Sequence, residues 1–227
     1  MSDLWLSRAR LRQDAPIASL ARLLVPDATG PRAAASHRLV WALFADGQER
    51  RRDFLWREEA PGRFMALSAR PPANLDDLFD LDSQEFAPVL APGDRLGFTL
   101  RANPVIARSV AAGQRGKRHD VVMDALYRVP TGERAPMRTE AVLTAGRAWL
   151  ARQGAAHGFR PDEEVAVDGY DTVVIPRESG SPARFGVVDF TGVLTVENPQ
   201  LFLIALAAGF GRARAFGCGL MLIRRAR

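Results

Sequence analysis

The stretch NPQLFLIALAAGFGRARAFGCGLMLI, residues 198–223, predicts a helix, a glycine-rich loop and a strand in one run. Asn198 is a favoured N-cap residue, and Pro199 is favoured at the first helical position. Gly209 is the residue type that most often ends a helix. The apolar residues 219–223 then predict a strand that closes the run. A single strand at the end of this run must pair with other strands, and these must come from earlier in the sequence.

Residues 1–92 predict one complete unit of strands and helices. Ser36 is interpreted as the N-cap of its first helix, because apolar residues recur at helical spacing behind it. We expect strands at 4–11, 53–57, 63–69 and 84–90, and helices from Ser36 to Asp46-Gly47 and from Asn74 to Leu81. The order strand-helix-strand-strand-helix-strand is typical of a ferredoxin-like domain.

Residues 93–227 predict the same order again, after a boundary at residues 91–94 (Ala-Pro-Gly-Asp). We expect a strand at 95–103, a long basic loop to about Arg138, and a helix from Thr139 to near Gly154. Strands at 164–167, 172–175 and 185–196 precede the helix, loop and strand of residues 198–223. The predicted fold class is therefore α+β, with two tandem ferredoxin-like domains.

The charge distribution favours a polyanionic partner. Lys and Arg total 31 against 26 Asp and Glu, the net charge is +5, and Lys117 is the only lysine. A GC-rich genome is an equally good explanation for Arg in place of Lys. It does not explain why residues 101–118 hold five basic side chains without an acid, or why the chain is free of acids after Glu197. Such basic segments are typical of nucleic-acid-binding surfaces.

Several classes of protein are excluded or disfavoured. Cys218 is the only cysteine, which excludes an intrachain disulfide and a cysteine-rich zinc site. A reducing, cytoplasmic location is expected. The first residues lack a basic segment followed by an apolar one, so no signal peptide is predicted. The longest apolar run, 201–210, is half the ~20 residues of a membrane span, and no membrane partner is expected.

His37 is the first candidate for chemistry. It falls in the first turn of the predicted helix, where unpaired N–H groups and the helix dipole attract phosphate. An imidazole titrates near neutral pH and can transfer a proton there. A solvated histidine near a helix end is the alternative.

A metal site is the second possibility. His119-Asp120 can begin a metal phosphohydrolase site, but only His157 remains as a further histidine ligand. Asp76, Asp77, Asp80 and Asp82 are interpreted as the solvated face of a short helix. We expect no metal and no other cofactor.

The strongest local pattern is the pair of Gly-x-Gly segments around two arginines. The glycines are Gly209, Gly211, Gly217 and Gly219, and the arginines are Arg212 and Arg214. Glycine lets the backbone turn tightly and approach a ligand, and arginine makes charge-assisted bonds to phosphate. A dinucleotide-binding loop is excluded, because that loop follows a strand and opens a helix, whereas this one follows a helix.

This glycine-rich loop resembles the C-terminal loop of the repeat-associated RNA-binding superfamily of CRISPR proteins. Five other segments resemble the CasE subfamily, which processes crRNA in the type I-E Cascade complex. They are Leu4-Ser7-Arg8, residues 37–44 (HRLVWALF), residues 100–104 (LRANP), residues 116–119 (GKRH) and residues 190–194 (FTGVL). The matches are scattered from end to end, so the resemblance covers the whole chain.

The resemblance implies a metal-independent endoribonuclease that cleaves CRISPR repeat hairpins. The ribose 2′-OH would attack the adjacent phosphate, leaving a 5′-OH and a 2′,3′-cyclic phosphate. His37 takes the position of the family's catalytic histidine, as a general acid or base. The family's tyrosine, three residues earlier, is replaced by Ala34, and we hypothesise that Ser36 or Arg38 helps to hold the phosphate instead.

The resemblance also implies an RNA-binding surface, retention of the cleaved RNA and assembly with Cascade subunits. The predicted RNA-binding residues are Arg101, Arg115, Lys117, Arg118, Arg177, Arg184, Arg212 and Arg214, with the four loop glycines. The alternative is a non-catalytic RNA-binding or scaffold subunit of the same superfamily, which the missing tyrosine keeps open.

Overall fold

The computed structural model describes residues 4–14, 25–45, 52–74, 77–108, 116–176 and 180–226. It contains two units of strands and helices, each built around its own antiparallel sheet. No helix in these ranges is both long and apolar enough to cross a bilayer.

The first sheet is formed by residues on the N-terminal side of the predicted boundary. Its strands are β1 (Trp5–Leu11), β2 (Phe54–Ala60), β3 (Arg63–Ser68) and β4 (Phe79–Glu85), with helix α1 (Thr29–Leu43) between β1 and β2. The strand order is β2-β3-β1-β4, and all pairs are antiparallel. This is the order of a ferredoxin-like sheet, with the first and third strands in the centre.

The start of α1 differs from the prediction. Ser36 is not the N-cap: the helix begins at Thr29 after Ala28, and Ser36 lies in its middle. Pro31 is tolerated in a first helical turn, where its missing N–H would have no partner. The three alanines at 33–35 are strong helix formers and continue the helix. His37 is therefore two turns inside α1, and its predicted place at the N-terminal phosphate-binding turn is wrong.

The predicted helix from Asn74 to Leu81 is also wrong. Asn74 has φ 44°, and its side chain bonds both the N–H and the C=O of Phe79, which makes a turn. Residues 79–85 then form β4, paired with β1 along seven residues. Apolar and acidic residues alternate at 79–82, which is the period of a strand with one buried face.

The second sheet is formed by residues 95–225 and repeats this arrangement. The elements are β5 (Arg95–Ala102), α3 (Arg134–His157), β8 (Phe159–Pro161), β9 (Ala166–Ile175), β10 (Ala183–Val196), α4 (Pro199–Ala208) and β11 (Met221–Arg225). The strand order is β11-β5-β10, with β8 and β9 on the far edge of β10. With the first sheet, this order confirms the predicted α+β, tandem ferredoxin-like fold class. The boundary at 92/93 stays a prediction.

The predicted basic loop before Arg138 contains regular structure. A hairpin is formed by β6 (Val105–Arg108) and β7 (Lys117–Asp120), and the short helix α2 (Val121–Leu126) follows it. Thr139 is not a cap, because α3 already begins at Arg134. The two short strands expected at 164–167 and 172–175 are one strand, β9. The predicted cap is confirmed: the Asn198 side chain accepts from the Leu201 N–H, and Gly209 ends α4.

The two units meet along an apolar seam that positions the site. Leu55, Met65 and Leu67 of the first sheet form one buried cluster with Leu220. On the other side of the seam, Ala33 and Ala34 of α1 pack against a second cluster. Its buried members, all from the second unit, are Val173, Ile175, Val187 and Cys218. The helix that carries His37 is thus held between the two units.

Candidate functional site

His37 lies where the two units meet, against the glycine-rich loop. Its ring centroid is 5.5 Å from that of Phe216, in a short 3-10 helix (Arg214–Phe216) at the tip of the loop. The ring of Trp41, one turn further along α1, lies edge-on with its centroid 6.2 Å away. The fold therefore brings together the predicted catalytic histidine and the predicted RNA-binding loop, which lie near opposite ends of the sequence.

The imidazole environment favours the neutral form. Burial lowers the pKa of His37 from its ordinary value of 6.5, and the positive charges of Arg52 and Arg38 lower it further. The backbone of Ala215 acts in the opposite direction and raises this pKa. Nδ1 is buried and makes no hydrogen bond of good geometry with the described residues. A neutral imidazole at pH 7 can accept a proton, as a general base must.

The glycine-rich loop has a conformation that depends on its glycines. All four have positive φ: Gly209 78°, Gly211 73°, Gly217 77° and Gly219 94°. At Gly211, a Cβ would also lie 2.7 Å from the backbone oxygen of Asn103, a distance that real side chains do not reach. The glycines of this loop are therefore needed for two reasons: the positive φ angles, and the lack of space for a Cβ at Gly211.

Asn103 ties this loop to the second sheet. It is 5% exposed, and its Nδ2 donates to the Gly186 oxygen at 2.7 Å. Its backbone oxygen accepts from the Arg212 N–H at 3.1 Å. Across the loop, the Gly219 oxygen accepts from the Phe210 N–H at 2.9 Å. The loop is thus a closed, hydrogen-bonded structure whose tip is presented to His37.

Two arginines, Arg38 and Arg52, act on the imidazole through their charge, and Arg214 is a third arginine on the adjacent loop. Arg38 is exposed on α1, and Arg214 is half-buried at the loop tip, where its Nε donates to the Gly211 oxygen at 3.2 Å. Arg52, just before β2, was not predicted from the sequence, yet its charge acts on both His37 and Arg214. In the sequence it ends a run of three arginines, residues 50–52, which lies outside the two basic segments singled out above.

Ser36 faces away from any position that a phosphate could take beside His37. It is 1% exposed, and its Oγ donates to Oε2 of Glu58 on β2 at 3.2 Å. Oε1 of Glu58 accepts from the Gly62 N–H, also at 3.2 Å. Ser36 therefore connects α1 to the first sheet. Its predicted contact with phosphate stays a prediction, and this geometry does not favour it.

The other predicted RNA-binding residues differ in exposure and in whether their charge is paired with an acid. Lys117 and Arg118 are exposed on the β6–β7 hairpin, and Arg184 and Arg212 are exposed beside the loop. Arg101 is committed to an ion pair, with Nη1 2.9 Å from Oδ2 of Asp189. Arg115 and Arg177 lie outside the described residues.

The residues considered for a metal site have structural roles. Oδ1 of Asp120 accepts from the N–H groups of Val122 and Met123 and so caps α2. His157 ends α3 and packs edge-on against Phe210, with centroids 5.8 Å apart. Within the described ranges, no three His, Cys, Asp or Glu side chains are grouped as a metal site.

Neither tyrosine replaces the one missing at Ala34. Tyr127 is 79% exposed beyond α2. Tyr170, on β9, lies beside Asp120, and burial is the main cause that raises its pKa. The aromatic neighbours of His37 among the described residues are Trp41 and Phe216.

The known proteins that this chain resembles in sequence are CRISPR-associated proteins. The model of a family described as "CRISPR associated protein" matches residues 4–225. The CRISPR-associated endoribonuclease Cse3 of Thermus thermophilus is 32% identical over 148 residues, which are 61% of this chain and 59% of that protein. The match thus spans less than two thirds of the relative's length.

Solved structures with the same fold cover nearly the whole chain. Thermus thermophilus Cse3, bound to an RNA that represents a pre-cleavage complex, has a TM-score of 0.66 and is 24% identical, over 98% of this chain and 99% of that one. A chain of a CRISPR RNA-guided surveillance complex has a TM-score of 0.60 and is 18% identical, over 98% and 100%. At these identities the likeness establishes the fold.

Proposed function

This chain belongs to the CRISPR-associated protein family, and on this basis we propose that it is an endoribonuclease that cleaves CRISPR repeat hairpins in precursor crRNA. One observation carries the proposal: His37 of the first unit lies against the arginine-bearing loop of the second, at a centroid distance of 5.5 Å from Phe216. The imidazole, which can transfer a proton, and the loop arginines, which can bind phosphate, therefore lie on the same side of a bound RNA. The related Cse3 is named a CRISPR-associated endoribonuclease.

The proposed reaction uses the RNA as its own nucleophile. The ribose 2′-OH loses its proton to His37 and attacks the adjacent phosphorus. The bond from phosphorus to the 5′-oxygen breaks, and this oxygen takes up a proton from water. The products are a 2′,3′-cyclic phosphate and a 5′-OH. Because burial lowers the pKa of His37, the imidazole is neutral at pH 7 and ready to accept the proton. The reaction requires no metal ion.

RNA binding depends on exposed positive charge. The β6–β7 hairpin presents Lys117 and Arg118, and the loop region presents Arg212 and Arg184. A-form RNA has a deep, narrow major groove that crowds phosphates and hides base edges. A narrow basic hairpin therefore suits recognition of a stem by its shape and charge.

The cleaved RNA is proposed to stay bound while the protein joins a Cascade-type effector complex in the cytoplasm. The support is the family membership and the shared fold with a chain of an RNA-guided surveillance complex. The lone cysteine, which is buried, is compatible with a reducing compartment.

A cleavage assay tests the proposed activity. Purified protein is mixed in EDTA with an end-labelled repeat hairpin from a CRISPR array of its own genome, beside His37→Ala. We expect cleavage at the base of the stem by the wild type, a 2′,3′-cyclic phosphate on the upstream product, and a loss of about 10²–10⁴-fold in His37→Ala.

Other outcomes distinguish the alternatives. Tight binding without cleavage by either protein would indicate the non-catalytic scaffold role that the Ala34 replacement keeps open. Activity that EDTA abolishes would indicate a metal-dependent nuclease. Absence of binding would contradict the RNA substrate itself.

A further inference from the structure

We propose that Arg52, directly before β2, is a catalytic residue that contacts the non-bridging oxygens of the scissile phosphate beside His37. The inference rests on the proposed ribonuclease function and adds a residue to it. It concerns a side chain in the first unit, whereas the predicted phosphate contacts of the loop all come from the second. Arg214 is the expected partner of Arg52 in this contact.

The groove between the two units places both arginines on one surface. Arg52 and Arg214 line the same groove, whose volume is about 860 Å³. Much of the remaining wall is apolar, with Phe54 and Leu55 on one side and Ile204 and Ala208 of α4 on the other. The two guanidinium groups thus border a space large enough for a nucleotide, with few other groups to bind its charge.

Ring contacts connect each arginine to the surroundings of His37. Trp41, which neighbours His37, packs against Phe54 at a centroid distance of 5.2 Å, and Phe54 is two residues after Arg52. Phe216, which also contacts His37, is two residues after Arg214. These contacts place both arginine-bearing segments near the imidazole, which lies beside the groove and does not line it.

The charges around Arg52 are not balanced by acids among the described residues that line the groove. Burial lowers the pKa of Arg52 and of Arg214, and the charge of Arg52 lowers the pKa of Arg214 further. Two acids also line the groove. Asp53 is already bound by Arg70, with Nε 2.8 Å from Oδ2, and Glu85 is exposed. Two partly desolvated cations held close together favour the binding of an anion between them.

A phosphate undergoing 2′-OH attack has the charge that this arrangement suits. As the fifth bond to phosphorus forms, negative charge grows on the two non-bridging oxygens. A guanidinium fork can donate two hydrogen bonds to those oxygens. Because such bonds strengthen in the transition state, they increase the rate more than the affinity for RNA.

The test separates rate from binding. Single-turnover cleavage at saturating protein, and affinity for the uncleaved hairpin, are measured for wild type, Arg52→Gln, Arg52→Lys and the control Arg63→Gln. Arg63 is exposed at the β2–β3 turn, so its loss matches the change in net charge. We expect Arg52→Gln to slow cleavage by about 10²–10³-fold and to weaken binding by less than about 10-fold, with partial recovery in Arg52→Lys.

A second measurement tests the geometry without cleavage. The pKa of His37 is measured by NMR in the free protein. Since the charge of Arg52 lowers this pKa, Arg52→Gln should raise it and Arg63→Gln should not. The thermal midpoint of each variant shows that the fold is retained.

The outcomes distinguish this inference from the proposed function. If the wild type cleaves and Arg52→Gln cleaves as fast, the ribonuclease stands and the role of Arg52 is wrong. If Arg52→Gln loses affinity and rate equally, Arg52 is a general backbone contact and the inference is also overturned. If the wild type does not cleave, the proposed function fails first. An unchanged His37 pKa in Arg52→Gln would then contradict the geometry as well.

Discussion

The Oγ of Ser36 lies 3.2 Å from Oε2 of Glu58, and this hydrogen bond joins the middle of α1 to β2. Ser36 is 1% exposed and immediately precedes His37. The helix that carries the imidazole is therefore fixed to the first sheet by a polar contact one residue away from it. The N-cap Ala28 offers no side-chain hydrogen bond, which makes this contact more important for the position of α1.

Glu58 should make stability depend on pH. Burial raises its pKa above the ordinary 4.5, while the Gly62 and Ser36 hydrogen bonds act in the opposite direction. Below both pKa values the folded and unfolded chains are equally protonated. As pH rises from the ordinary value through the raised one, the unfolded chain releases its proton first, so this group reduces the free energy of unfolding. At a pH above both pKa values, this reduction in the free energy of unfolding is complete.

Glu58→Gln should remove that dependence. Urea unfolding of wild type and variant at about pH 4 and about pH 8 measures it. We expect the stability of the variant, relative to wild type, to be greater at the higher pH. Equal differences at both pH values would show that Glu58 does not titrate as described.

His37 should determine the acidic limb of the pH–rate profile. The pH dependence of kcat/KM reports the pKa of groups in the free enzyme. Because burial lowers the pKa of His37 from 6.5, the rate should fall with acidification only below that value. Cleavage measured at subsaturating protein across the pH range tests this. A limb centred above 6.5, or one that persists in His37→Ala, would assign the titration to another group.

Gly211→Ala and Gly93→Ala should separate steric conflict from backbone strain. Both glycines have positive φ, 73° and 91°. A Cβ at Gly93 meets nothing within 4 Å, whereas one at Gly211 collides with the Asn103 backbone. We expect each variant to lose about 1–2 kcal/mol to strain, and Gly211→Ala alone to lose more stability and most RNA cleavage. Similar behaviour of the two variants in urea unfolding and in the cleavage assay would contradict the role of the close packing.

The exposed hairpin charges should affect the salt dependence of RNA binding more than Arg101 does. Removing one phosphate-binding cation lowers the slope of log K against log salt by about 0.7–0.9. Lys117→Ala combined with Arg118→Ala should therefore reduce the slope by about twice that amount. Arg101→Ala should change it less, because Arg101 is paired with Asp189 at 2.9 Å. Binding titrations over a range of salt give the slopes, and equal changes per charge would contradict this distinction.

The sequence predicted the fold class and the residues of the glycine-rich loop better than it predicted helix boundaries. Its local pattern favours a loop at Gly30-Pro31, but Pro31 fits a first helical turn. Gly30 is required there because a Cβ would collide with the backbone of Val174 on β9. That contact joins two segments from different units, which only the fold brings together. A short stretch of sequence does not reveal a contact of this kind.

The candidate site also depends on contacts between segments that are distant in sequence. His37 and the loop arginines were predicted because their types and spacing carry a signal, and the fold brings His37 and the loop together. Arg52 ends the run of three arginines at residues 50–52, which was not singled out from the sequence. Its proposed role depends on Phe54 packing against Trp41 at 5.2 Å, which the sequence does not reveal. The ion pair of Arg101 could not be predicted either, since its partner Asp189 is far away in sequence and lies on the neighbouring strand β10. RNA binding by Arg101 stays a prediction.

The seam between the units has a consequence for how such a site can be assembled. His37 is supplied by one ferredoxin-like unit, whereas Ala215 and Phe216 beside it are supplied by the other. Each half on its own holds only part of the proposed reaction centre. Two separately expressed halves should therefore be inert alone and should recover cleavage on mixing, by fragment complementation, in proportion to how well the apolar seam re-forms.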